Sequence, residues 1–200
     1  MTKLLGAAAL IGTVLVCSSA TAATVTAGPG GFDNGFATTI TYDDTDARGT
    51  ANGRDNPLNA LGAVDGNFFE IGLGGTVELQ FGTLFLGSGT VVEVTFGNPA
   101  DHPESVDIFA GIAGDATSFV AVDQVTVSNT NAQGPVGVSF TFAGGPYDTL
   151  RLVDTSVSTE LTGGFDIDAV SVSPVPLPAG LLLLGTAMAG LGAVRRRKSA

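Results

Sequence analysis

From Ala23 to Ser173 apolar residues recur at every second position, the period of a half-buried strand. GTVELQFG (75–82) sets Val77, Leu79 and Phe81 against Glu78 and Gln80, and GTVVEVTFG (89–97) sets Val92, Val94 and Phe96 against Glu93 and Thr95. VGVSFTFAGG (136–145) places Val136, Val138, Phe140 and Phe142 on one face. Further runs are 37–42, 67–73, 105–112, 119–127, 148–154 and 165–172. Gly, Asn and Pro clusters separate them, among them Gly74-Gly75, Gly87-Ser88-Gly89 and Gly144-Gly145-Pro146. Short strands punctuated in this way predict an all-β chain, an antiparallel β-sandwich or barrel. No central segment carries the 3.6-residue period of a helix. Roughly 150 residues suffice to bury a two-layer core. The stretch from Ala23 to Leu58, rich in Gly, Asp, Asn and Thr, is expected to wrap that core as long loops.

Both ends of the chain break the pattern. Lys3 precedes an apolar run from Leu4 to Val16, and Ala20-Thr21-Ala22 follows with small residues at the −3 and −1 positions. This is the form of a secretory signal peptide, residues 1–22, cleaved after Ala22. Its apolar part is short of the ~20 residues that span a bilayer. The single cysteine, Cys17, falls inside it, so the processed chain has no disulfide, thiolate metal site or cysteine nucleophile. At the other end Ala179 to Val194 is uncharged, and Arg195, Arg196, Arg197 and Lys198 follow at once. With Val175 to Pro178 the run approaches the ~20 residues of a membrane helix. Basic residues stay cytoplasmic, which would put the body of the protein outside.

Charge sharpens the division. The chain carries a formal net charge of −11, yet five of its eight basic residues lie at the two ends. Between them three arginines face all nineteen acids, a net −16. Such a body repels nucleic acid and anionic surfaces and attracts cations. Catalytic chemistry is poorly supplied. His102 is the one histidine, which excludes a three-His zinc site, and no G-x-S-x-G elbow is present. Glu70, Glu78, Glu93, Glu104 and Glu160 show no spacing that singles out a glycosidase pair. The expectation is a protein that is not an enzyme. With no Trp and only two Tyr, sugar stacking is weakly signalled. Asp166 and Asp168 stand two apart in an extended segment and would share a side. Asp65 would join them if the first and last strands were neighbours. A structural Ca²⁺ on Asp65, Asp166 and Asp168 is the metal site these residues suggest. Asp43 to Asp46 (DDTD) is a weaker candidate that lacks the Gly and terminal Glu of an EF-hand loop.

Two resemblances extend this reading. Residues 54–82, with the NALGAVDG loop and the Gly-Gly turn before a strand ending in Phe-Gly, resemble the opening of galactose-binding-like jelly-roll domains of exported bacterial proteins. Residues 150–170, with GFDIDAV, resemble their closing strands. The resemblance implies a jelly roll over residues 23–173 and a structural Ca²⁺ near the junction of those strands. Residues 174–200 resemble the PEP-CTERM sorting signal in its VPLPA variant. The match is carried by the motif Val175, Pro176, Leu177, Pro178 and Ala179, by the apolar run 180–194, and by the basic tail 195–200. Leu177 stands where the usual motif has Glu. The family implies export through the Sec pathway and a transient stay in the inner membrane. It further implies an exosortase-type processing enzyme as partner, release to the cell surface or outside, and a link to exopolysaccharide and biofilm. The alternative is a carbohydrate- or Ca²⁺-dependent adhesion module on a permanent membrane anchor.

Overall fold

A computed structural model of the chain describes residues 22–26, 35–43, 53–95, 104–127, 134–157 and 163–175. Nine strands account for most of them: β1 (Ala22–Thr26), β2 (Thr39–Asp43), β3 (Phe69–Glu70), β4 (Thr76–Thr95), β5 (Glu104–Ile112), β6 (Asp115–Val127), β7 (Gly134–Thr141), β8 (Tyr147–Asp154) and β9 (Asp166–Pro174). A 3-10 turn at Pro57–Ala60 is capped by Asn56, whose side chain accepts the Leu58 N–H.

Every strand pair is antiparallel. One layer runs β1-β2-β4-β8-β5-β6. The other is built on the far half of β4, which pairs with β7 on one side and β9 on the other, with β3 beyond β9. The expected all-β antiparallel sandwich is therefore present. Its central feature departs from the sequence pattern. Gly87-Ser88-Gly89 reads as a turn between two strands, but β4 is one strand of 20 residues that passes through both layers. It bends where Gly82 (φ 65°) and Gly87 (φ 89°) adopt left-handed backbone. Its pairing with β8 and with β9 shifts register across the same stretch. Ser88 then regains partners at once, pairing with Thr141 and bonding the Ser173 hydroxyl.

A second departure lies at the start. Residues 22–26 form a strand paired with β2, not a loop, and β1 begins at Ala22, the last residue of the expected leader. Ala20 and the rest of residues 1–21 lie outside the described residues, as do His102, residues 44–52 and residues 176–200. Among the described residues no helix is long and apolar enough to cross a membrane. The expected membrane run, 180–194, is not among them.

The core is one cluster drawn from both layers. Val77, Leu79, Phe81, Ile108, Leu150 and Leu152 come from the first, and Val91, Phe140, Ile167 and Val170 from the second. Val136, Val138 and Phe142 pack against it, so the expected apolar face of β7 is where the pattern put it. At the bend of β4, Phe85 is fully buried with its ring edge-on to Phe81 (5.1 Å) and Phe142 (5.8 Å). Tyr147 closes this group 6.3 Å from Phe85. Such aromatic pairs add to the area they bury.

Candidate functional site

Five carboxylates gather at one end of the sandwich, each brought by a different strand end. Glu70 closes β3, Glu93 lies near the end of β4, Glu104 opens β5, Asp154 closes β8 and Asp166 opens β9. Pairing dictates the gathering: Glu70 lies opposite Asp166, Glu93 opposite Ile167, and Val106 opposite Asp154. Glu70, Glu93, Asp154 and Asp166 are buried. The nearby cation is Arg54, whose Nη1 is 3.5 Å from Glu70 Oε2 and whose guanidinium lies over the Phe68 ring.

Four donors converge on the Asp154 carboxyl group. Its Oδ1 accepts the N–H groups of Gly74 and Ser156, and its Oδ2 accepts the Ser156 hydroxyl and the Phe165 N–H. Glu104 and Asp166 are in the opposite condition. Burial, reinforced by the charges of Asp166 and Glu93, pushes Glu104 up to about 9. Burial, reinforced by Glu70, pushes Asp166 up to about 8, with Arg54 pulling the other way. Glu104 Oε2 and Asp166 Oδ1 are buried without a hydrogen-bond partner. At neutral pH these two groups hold protons, which removes the cost of crowding like charges in a dry place. Four of the five carboxyl groups are buried, and Glu104 is half-buried.

The three residues suggested for Ca²⁺ are placed in two neighbourhoods. Asp168 Oδ1 accepts the Asp65 N–H (3.1 Å) and Oδ2 the Gly66 N–H (3.0 Å). The Asp168 carboxylate thus clamps the NALGAVDG loop to the last strand. Burial raises its pKa and the two N–H bonds oppose that rise. Asp65 itself is exposed, and its Oδ1 accepts the Asn67 N–H. Asp166 faces Glu70, Glu93 and Asp154 instead. The expected adjacency of the first and last parts of the domain is present, but the expected shared side is not. Val92 pairs with Ala169 and Glu93 with Ile167, so Asp168 is a bulged residue and the alternation slips there. As placed, the three carboxylates do not converge on one ion. Among the described residues no three His, Cys, Asp or Glu side chains are arranged to hold a metal.

An open pocket of about 200 Å³ lies on the outer face of the first layer. Glu78, Asp115, Phe119 and Arg151 line it. Arg151 donates to Glu78 Oε1 through Nε (3.0 Å) and Nη2 (2.7 Å). Its guanidinium covers the Phe119 ring at 3.7 Å. Strand alternation put Glu78 outward in the sequence reading; the partner on β8 was not evident from it.

The opposite end of the sandwich combines the aromatic group and exposed apolar side chains with Asp115 and Asp148. β9 finishes there, with Pro174 opposite Phe85 and the Val175 N–H bonded to the Leu84 carbonyl at 2.8 Å. Val175 is thus held by the fold, whereas Pro176, Leu177, Pro178, Ala179 and the basic residues Arg195, Arg196, Arg197 and Lys198 lie outside the described residues. A pocket of about 330 Å³ beside this exit is lined by Gln80, Gly82, Thr83, Leu84 and Asp148.

The carboxylate end escaped the sequence reading because its members are spread from residue 70 to residue 166 and only strand register unites them. One signal was available. Glu93 interrupts a β-branched run, VVEV, in which all four residues prove to be buried.

No protein-family model and no curated protein matches the chain. Solved structures do show likeness. One is titled as the CBM32 of AlyQ in complex with 4,5-unsaturated mannuronic acid (18% identity, TM-score 0.45, over 66% of this chain and 92% of that one). A second is truncated AlyQ with CBM32 and alginate lyase domains (17%, 0.44, over 70% and 33%). A third is a pectin-binding carbohydrate binding module (15%, 0.45, over 71% and 94%).

Proposed function

We propose that this chain is a non-catalytic, exported display protein whose β-sandwich is delivered to the cell surface or extracellular matrix through its C-terminal sorting signal. The observation that carries the proposal is the meeting of fold and motif at one residue. β9 ends at Pro174, and Val175, first residue of the VPLPA motif, is still hydrogen-bonded to Leu84. No spacer separates domain from signal. Pro176 and Pro178 fix φ and lack N–H donors, so the motif is unsuited to continue the ladder and suited to an extended-chain protease cleft. The apolar run 180–194 would hold the precursor in the inner membrane, and Arg195 to Lys198 would keep the tail cytoplasmic. An exosortase-type enzyme would then act at Val175 to Ala179. The composition of the body, with its net −16, suits a soluble surface protein and disfavours nucleic acid as partner.

The test is intact-mass spectrometry of the protein recovered from cells that express an exosortase. The expected product starts at Ala23 and ends within or beside the motif. A product ending at Ala200 overturns the processing.

A second reading is a carbohydrate-binding adhesion module, with exopolysaccharide as its ligand. The Glu78–Asp115–Arg151 pocket favours it, because an open cleft edged by charged hydrogen-bonding groups suits sugar hydroxyls, with the Phe119 ring holding the Arg151 guanidinium from beneath. Glycan-array binding with and without Ca²⁺, repeated with Phe119→Ala, checks this reading. Binding that survives the substitution unchanged removes this pocket as the site.

A further inference from the structure

β8 and β9 give the sandwich two unlike ends. β8 runs from Tyr147 in the aromatic group to Asp154 among the carboxylates. β9 runs the opposite way, from Asp166 to Pro174 and Val175. At about 3.3 Å per residue the two ends of β9 are about 26 Å apart. The carboxylates lie at the end remote from the exit, and exposed apolar side chains lie at the exit itself. Leu84 (46% exposed) and Leu86 (45%) sit two apart on β4 and flank the buried Phe85. Ile112 (37%) is exposed at the same end, where the adjacent Ala113 N–H bonds Asp148 beside Tyr147.

We propose that this rim, Leu84 and Leu86 first, is a membrane-facing surface that rests in the headgroup boundary of the bilayer while the C-terminal tail is attached. The inference rests on the proposed membrane tail and adds a defined orientation to it. Gly180 lies five positions beyond Val175, at most about 18 Å of extended chain. Val175 is bonded to Leu84, so that short length also limits the distance of Leu84 from the first residue of the membrane run. The headgroup layer is itself several ångströms deep, and apolar side chains at such a boundary sink about 5–10 Å into it. Two half-exposed leucines bind a bilayer weakly on their own. A tether changes this by holding them at a high effective concentration beside it. Sorting enzyme and lipid would then meet the same end of the domain, with the motif between them.

The chain has no tryptophan, which allows a clean reporter. The experiment uses the full-length precursor in phosphatidylcholine vesicles, with L84W, L86W and L73W as separate single-tryptophan variants. Leu73 is 39% exposed but lies at the carboxylate end, next to Gly74, which bonds Asp154. The expected result is blue-shifted emission for L84W and L86W, quenched by lipids brominated on the acyl chain and protected from acrylamide. L73W is expected to show neither effect. Precursor that floats with the vesicles while L84W and L86W stay as acrylamide-accessible as L73W overturns the membrane-facing rim and leaves the anchor standing. Precursor that fails to float overturns both. Matching melting curves for the three variants and the parent establish that each reporter sits in a folded domain.

Discussion

Glu70 on β3 lies directly opposite Asp166 on β9, so that two buried carboxyl groups face one another across a strand pair. The charge of Glu70 adds to burial in raising the pKa of Asp166. The carboxylate end therefore holds protons that the unfolded chain releases, and its stability depends on pH.

The direction follows from burial. In the folded chain Glu104 is raised to about 9 and Asp166 to about 8, whereas unfolded Glu and Asp titrate near ~4. Between these limits the folded state holds up to two protons that the unfolded state has released. Their contribution is complete below pH ~4 and is lost as pH rises through the folded values. The melting temperature is expected to fall by several degrees from pH 5 to pH 9. Glu104→Gln, neutral at every pH, should flatten that slope. Melting curves of both proteins across the range check it, and an unchanged slope in the variant would assign the effect to other groups.

Asp154 should be among the least replaceable polar residues. Four donors converge on its carboxylate, from the turn before β4, from the end of β8 and from Phe165 before β9. Asp154→Ala removes the acceptor of all four and leaves the buried Phe165 N–H unpaired, and should cost about 2–3 kcal/mol by urea denaturation.

Two glycines allow backbone strain to be separated from crowding. Gly114 has φ +77° with open space around a Cβ, while Gly164 has φ +108° and a Cβ there would lie 2.6 Å from the Gly72 carbonyl carbon. Gly114→Ala should cost about 1 kcal/mol, the strain of a left-handed residue. Gly164→Ala must in addition push two backbone segments apart and should cost at least about 3 kcal/mol, or prevent folding. Equal losses would show that the loop at Gly164 yields.

Arg151 joins an ion pair to an aromatic stack, and its side chain and that of Glu78 are both about a quarter exposed. Lysine keeps the charge but not the flat face. Arg151→Lys should cost about 1 kcal/mol and Arg151→Ala about 1–2 kcal/mol, read from urea midpoints.

Strand positions were legible in the sequence where one face is wet and the other dry, as at Val77-Glu78-Leu79-Gln80. Periodicity failed where that contrast is absent. At Val91 to Val94 all four residues are buried, and Glu93 reads as an outward residue only if solvent is assumed there. Gly87-Ser88-Gly89 reads as a turn because Gly favours bends, yet cross-strand partners hold it in the ladder. The carboxylate end was illegible for a different reason. Glu70 and Asp166 are brought opposite one another by register, which no local pattern records. The bulge at Asp168 likewise separates two aspartates whose spacing suggests a pair.

The passage of β4 through both layers has a consequence for timing. Its far half is flanked by β7 and β9, and β9 alone links it to β3. The second layer cannot close until residues 166–174 arrive, and these are the last of the domain to be synthesised. A chain whose completing strand comes last stays open until then, and long-range pairing of this kind forms late. Assembly is thereby deferred to the final strand, so that on the proposed export route the sandwich and the VPLPA motif beside it would be completed together.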